Sequence, residues 1–326
     1  MIASTDLLQE FSEQGFVVVR GVLDETLDLA PVRAEYETVL DELIRAWRAE
    51  SPQSAWSGMA DGLPFGPRLI QFVAESRFSY GQHFDISLPQ KGITDTTPIH
   101  CGPAVFNLLR SPRLLDWVEK FVGPEIYSNP VQHTRLKLPV DKLPPEAFNG
   151  LTGDIAWHQD QAVIVPEGDQ TDILTVWFPM NATTVRNGCL SVAPRSHLPP
   201  MRLHCSNFKH TSKNQVCIPD ALVDPNQIPL PMNPGDVLFM HRRTLHRGLT
   251  NRSDEIRWSF DLRYQRIGDP TGRPWFPGFV VRSQRDPASE LRSHEAWRQL
   301  WHEARQRLAG HDVSFNRWDN ADPLCA

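Results

Sequence analysis

At 326 residues, with 40% hydrophobic and 22% charged positions, the chain is long enough to bury a full core and has none of the compositional bias of a disordered or fibrous protein. A net charge of -6 with no long basic run argues against nucleic acid as a partner. No apolar run reaches the length of a membrane span, residues 1–15 lack Lys and Arg, and the 5 cysteines show no Cys-x-x-Cys pairing, so the expectation is a cytoplasmic protein with free thiols and no membrane contact.

Residues 4–14 predict a helix with Leu7, Leu8 and Phe11 on one stripe, ended by Gly15 and followed by a β-branched strand at 16–20. Residues 31–50 predict a long helix opening at Pro31 and burying Val32, Tyr36, Val39, Leu40, Leu43 and Ile44. A stretch interrupted by Pro and Gly, 51–68, leads into another helix, and 103–121 reads as one more helical region. From residue 125 the pattern changes to short apolar or alternating runs at 125–138, 155–165, 173–180, 189–193, 236–240, 245–249 and 257–265, which predict the strands of a sandwich or barrel. Segments 139–154 and 199–234 are long for loops and read as lids or binding loops. A helix at 289–308 and a tail close the chain. The expectation is one catalytic domain over 1–326, mainly β with flanking helices: a helical layer (1–124), a β core (125–265) and a C-terminal helix with its tail (266–326).

The chemistry concentrates at 156–165, read as a strand that begins near His158-Gln159-Asp160. Strand residues two apart share a face, so His158 and Asp160 present an imidazole nitrogen and a carboxylate oxygen to one point. His246 supplies a third ligand. Two histidines and one carboxylate form the facial triad of non-haem Fe(II) oxygenases and leave three positions open. The tripeptide alone is weak, because 12 histidines in this chain produce a His-x-Asp about once by chance. Indeed His83-Phe84-Asp85 repeats the spacing, but it lies between Gly81 and Pro89 with no apolar strand after it. His241 competes with His246; it ends one strand whereas His246 begins the next, so His246 is preferred and His241 is read as a hydrogen-bonded core or supporting histidine.

In 257–264, Trp258, Phe260, Leu262 and Tyr264 alternate with Arg257, Ser259, Asp261 and Arg263. An arginine pointing into a β-barrel must find an anion, and a dicarboxylate co-substrate supplies one for Arg257. Arg263 has two readings, a salt bridge to Asp261 or a substrate contact. Between Asp172 and Asp220 there is no acidic residue, while Arg186, Arg195, Arg202, Lys209 and Lys213 are basic, so a lid from 199–234 would favour an anionic small-molecule substrate. His204, Cys205, His210 and Cys217 lie in the same segment, but their spacing matches no standard zinc pattern.

Taken in order, His158-Gln159-Asp160, the strand 175–178, the segment 187–197, the turn Pro234-Gly235-Asp236, His246 and Arg257 resemble the phytanoyl-CoA dioxygenase family, strongly over about 125–265. The resemblance implies a double-stranded β-helix (jelly-roll, cupin-like), with Fe(II) held by His158, Asp160 and His246 and with 2-oxoglutarate and O2 as co-substrates. It also implies that Arg257 holds the distal carboxylate of 2-oxoglutarate, that Lys137 adds a polar contact and that Trp177 flanks it. The product side would be a hydroxylated small molecule, succinate and CO2. Two departures stand out: Arg195 replaces a common glycine, which predicts a differently shaped turn, and Gly248 offers no hydroxyl to the co-substrate. Asp160, present rather than Ala or Gly, points to oxygen transfer rather than halogenation. The other readings are a metal-dependent hydrolase or isomerase, which would act without oxygen and leave Arg257 without an anion, and a non-catalytic small-molecule-binding module.

Overall fold

The computed structural model describes residues 4–51, 62–147, 152, 154–206, 216–311, 313, 317–318 and 321–325. Helix α1 (Ser4–Gln14) leads into strand β1 (Phe16–Val19), and α2 (Ala30–Glu50) follows with Pro31 in its first turn. Then come α3 (Phe65–Ser76), α4 (Gly81–Phe84), α5 (Pro103–Leu109) and α6 (Pro112–Val122). The single helical region expected over 103–121 is therefore two helices, since Pro112 lacks the N–H that would continue α5 and instead opens α6.

The strands β2 (Glu125–Lys137), β3 (Ile155–His158), β4 (Leu174–Pro179) and β5 (Leu190–Val192) are where the alternation put them, except that β3 stops at His158. Beyond it, Asp160–Val163 is a single 3-10 turn, and Ile164 packs on Val131 and Ile173 instead of pairing with a strand. The 199–234 segment is not only a loop: it carries the hairpin β6 (Cys205–Ser206) and β7 (Val216–Cys217) and the strand β8 (Ile228–Leu230). Lys209, His210 and Lys213 lie outside the described residues. Next are β9 (Val237–His241), β10 (His246–Gly248) and β11 (Arg257–Arg266). A strand the sequence did not suggest, β12 (Phe279–Ser283), precedes α7 (His294–Leu308), which starts at a Ser293 cap accepting from Ala296 N.

A six-stranded sheet in the order β1-β9-β4-β11-β2-β12 faces a four-stranded sheet β3-β10-β5-β8, and every pairing is antiparallel. Between them Phe16, Trp177, Leu238 and Met240 of the larger sheet meet Leu190 and Val192 of the smaller, giving the jelly roll its interior. Strand β11 decides what each side holds. Trp258, Phe260, Leu262 and Tyr264 turn outward into the cluster made with Tyr36, Phe65 and the other helices. Burying each such aromatic contributes about 1.5–3 kcal/mol. Arg257, Ser259, Asp261 and Arg263 consequently turn inward. Opposite them β2 bulges between Asn129 and His133, which accommodates Pro130, a residue without a ladder donor, in a central strand.

Two turns set the register near the site. Gly235 takes φ 92°, where a Cβ would stand 2.9 Å from Leu23 O, and this turn brings Asp236 onto Gly21 N and Asn233 N beside the β1–β9 pair. Arg195 takes φ 64°, in the left-handed region that ordinarily favours glycine. The cysteine expectation is also corrected. Cys205 and Cys325, separated by 120 positions, form a disulfide, while Cys101, Cys189 and Cys217 are buried and take no part in it. No spacing rule relates two cysteines so distant; only the fold brings them together. Among the described residues no helix is long and apolar enough to cross a membrane.

Candidate metal centre

His158 ends β3 and His246 begins β10, and the two are direct partners in the ladder, with ring centroids 4.2 Å apart. Asp160 is two residues on, after an extended Gln159 (φ -117°, ψ 136°) that keeps it on the same side as His158 although the strand has ended. Its Oδ1 lies 3.7 Å from His158 Nε2 and 3.8 Å from His246 Nε2. These three are the only group of three or more metal-ligating side chains gathered among the described residues, their ligand atoms lying within 4.8 Å of one another.

The donor chemistry fits a divalent ion. His158 Nδ1 donates to Ala156 O at 2.8 Å and His246 Nδ1 to Thr244 O at 3.0 Å, since a carbonyl can only accept. Each ring therefore keeps its proton on Nδ1 and turns the Nε2 lone pair inward. Burial, together with the neighbouring His246, pushes His158 down to about 3, so it is neutral and able to ligate at ordinary pH. For Asp160 burial alone would raise the carboxyl, but Arg263 and the two histidines outweigh it and hold the group well below the usual carboxylate range. Arg263 Nη2 donates to Asp160 Oδ1 at 2.6 Å, and Thr175 Oγ1 donates to Oδ2.

Arg263 is thus a structural cation: besides Asp160 it contacts Asp261 at 2.9 Å, and these two carboxylates raise its pKa against the pull of burial. The salt-bridge reading of Arg263 holds. Its bond to Asp160, and the role of Thr175, were not apparent from the sequence. The signal was present, because Thr175 shares the inward phase of β4 with Trp177 and pairs with Arg263 across the ladder.

Further along the same interior face Arg257 pairs in register with Lys137. Both are almost fully buried. Arg257 Nη1 donates to Ser259 Oγ, and its Nε has no partner. Lys137 Nζ donates to Leu249 O at 2.9 Å and lies 3.3 Å from Asp154 Oδ1. Gly248, two residues past His246, lies against both tips: a Cβ there would sit 3.3 Å from Lys137 Nζ and 3.4 Å from Arg257 Nη2, tighter than an ordinary contact. Burial and the facing Arg257 push Lys137 down to about 7, and burial with Arg135 nearby lowers Arg257 to about 10. Trp177 lies beside this pair, its ring centroid 6.0 Å from the Arg257 guanidinium carbon.

The competing candidates go elsewhere. Asp85 binds His133 at 2.9 Å and Thr134 N, so the His83 copy gathers no ligand set. His241 accepts from Arg243 N and faces His197. The zinc reading of the hairpin fails among the described residues, since Cys205 is in a disulfide and His204 Nε2 accepts from Gln159 N.

Residues 11–259 match the family model described as phytanoyl-CoA dioxygenase (PhyH). The peroxisomal phytanoyl-CoA dioxygenase of Rattus norvegicus is 23% identical over 265 residues, 81% of this chain and 68% of the relative. The 1-deoxypentalenic acid 11-beta-hydroxylase of Streptomyces arenae is 27% identical over 279 residues, 81% of this chain and 83% of the relative. The solved structure of EvdO2 from Micromonospora carbonacea var. aurantiaca, complexed with 2-oxoglutarate, shares the fold with a TM-score of 0.50 at 22% identity, covering 85% of this chain and 98% of that one. The chain belongs to the phytanoyl-CoA dioxygenase family and is an Fe(II)- and 2-oxoglutarate-dependent dioxygenase.

Proposed function

We propose that His158, Asp160 and His246 hold the ferrous ion, that Arg257 and Lys137 take the distal carboxylate of 2-oxoglutarate with Trp177 flanking it, and that the reaction hydroxylates a small carboxylate-bearing molecule. The observation that carries the reading is the pairing of two unlike sites in one barrel. Three inward donors stand ready for a divalent cation, and two buried cations, Arg257 and Lys137, face each other beside Gly248. A dicarboxylate would bring one carboxylate to the Arg257 and Lys137 cations, for which the planar guanidinium is suited by its bidentate geometry, and its other end would be free for the ion that the three donors would hold. When bound, the ion and 2-oxoglutarate supply dioxygen activation, with decarboxylation to succinate and CO2.

The chain's own part is positioning. Thr175 and Arg263 fix the Asp160 carboxylate, the two backbone carbonyls fix the histidine tautomers, and the cluster of Trp177, Leu238 and Met240 keeps water from that side. The anionic substrate is favoured by charge: Arg135 and the buried Arg273 share the interior with Arg257, Arg263 and Lys137, against Asp85, Asp154, Asp160 and Asp261. The Streptomyces relative is likewise named for an acid. The helical layer, β core and C-terminal helix act as one catalytic unit, supported by a core cluster that runs from Leu7 to Leu308.

The test is to add Fe(II) and 2-oxoglutarate without oxygen, follow the visible charge-transfer band, then admit air and measure succinate. The band and succinate are both expected, and both vanish in His158→Ala and Asp160→Ala. Undiminished succinate from either variant would refute the ligand assignment. Activity on neutral analogues but not acidic ones would refute the substrate class.

A further inference from the structure

Gln159, between two of the assigned ligands, is fully buried and gripped by the segment that leads into the β6–β7 hairpin. His204 Nε2 accepts from its N–H at 3.0 Å, Arg202 N donates to its Oε1 at 2.8 Å, and Ile218 N, just past β7, donates to Trp157 O at 2.8 Å. From the other side the C-terminal tail grips the turn that follows. Trp318 Nε1 donates to Ala162 O at 3.0 Å, and Arg317 donates to Ile164 O and, in a two-pronged contact at 2.7 and 2.8 Å, to Asp169. The His204 and Trp318 rings meet at 5.1 Å, and the Cys205–Cys325 disulfide ties the two grips into one closed strap around the ligand-bearing segment.

A third cysteine stands ready beside that bond. Cys217 is a buried thiol outside the disulfide and the direct ladder partner of Cys205. Opposed residues of an antiparallel pair lie about 4.5–5.5 Å apart at Cα, within the span a disulfide takes. Cys205 is fully buried, but Cys325 is partly exposed, so an outside thiolate reaches the bond at Cys325 Sγ.

We propose that Cys205, Cys217 and Cys325 form a thiol–disulfide exchange site whose state sets how firmly the segment 157–164 is held. The importance of that segment for metal retention rests on the ligand assignment above. Two exchanges are available. In the first, a dithiol reductant attacks Cys325 Sγ, the Cys205–Cys325 bond breaks and Cys205 leaves as thiolate. The reductant's second thiol then releases Cys325, so two electrons pass to the protein and the dithiol becomes a disulfide. In the second, the Cys217 thiolate attacks Cys205 Sγ, the bond moves to Cys205–Cys217, and the proton lost by Cys217 goes to the freed Cys325, with no net redox change.

The experiment compares air-oxidised protein, the same protein treated with dithiothreitol, and Cys325→Ser, with thermal melting as the check that each is folded. Peptide mapping after alkylation is expected to find 205 linked to 325 in the oxidised form, and some 205–217 linkage at mildly alkaline pH that Cys217→Ser abolishes. Amide hydrogen exchange across 159–164 should rise roughly tenfold in the reduced protein and in Cys325→Ser, and Ni(II) retention should weaken roughly tenfold. Absence of the 205–325 peptide, or exchange unchanged by reduction, overturns the proposal. If exchange rises but His158→Ala leaves Ni(II) binding intact, the strap stands and the ligand assignment is what fails.

Discussion

Arg257 and Arg263 lie on one strand, point into one barrel and are both buried, yet their surroundings differ in kind. Arg263 is bracketed by Asp160 and Asp261, which hold its pKa above the ordinary value; Arg257 has Ser259 and a facing lysine, and its pKa falls to about 10. A buried charge that the fold neutralises belongs to the structure. One that the fold leaves short of an anion marks where a ligand must bring it.

That comparison can be broken most directly at Arg263. Arg263→Met would leave two buried carboxylates without their common partner, and denaturant unfolding of metal-free protein should show a loss of about 3–5 kcal/mol. A loss under about 1 kcal/mol would mean the bracket is not structural. Arg257→Met should behave in the opposite way. Ligand-free stability should hold or rise, because an uncompensated buried cation is removed, while the 2-oxoglutarate Kd measured calorimetrically with Ni(II) in place of iron rises roughly a hundredfold. Equal losses of stability in the two variants would erase the distinction.

Lys137→Met should weaken 2-oxoglutarate roughly tenfold, and its sharper signature is in pH. Lys137 titrates near 7 in the free fold against an ordinary 10.5, so between these values the unfolded chain binds the extra proton and stability rises with pH. A dicarboxylate instead favours the charged lysine, so binding takes up a proton and weakens as pH climbs above about 7, by at most about tenfold per unit. Titrations from pH 7 to 9 should show that slope in the parent chain and lose it in Lys137→Met. A slope that persists in the variant would place the titrating group elsewhere.

The alternation at 257–264 made the inward set of β11 legible, and His158, Asp160, His246, Arg257 and Lys137 all converge on the interior as expected. What remained hidden has a common cause. The end of β3, the bulge at Pro130, the short strands β8 and β12, and the disulfide all depend on partners distant along the chain, and no local period encodes these; β6 and β7 form a local hairpin, but two residues each are too few to show a period. The tail looked empty by itself; its function as a clasp exists only because Trp318 and Cys325 meet residues more than a hundred positions earlier.

Side-chain type and two-residue periodicity determined that this chain forms an inward-charged β core, because a strand's facing follows from its own backbone; bringing His246 beside His158, and keeping Asp160 on their side past the end of β3, was left to the fold. The tertiary structure decided which charges are satisfied and which are not. Compensation is a property of neighbours in space, and only the folded barrel places Asp160 and Asp261 against Arg263 while giving Arg257 a serine and a facing lysine.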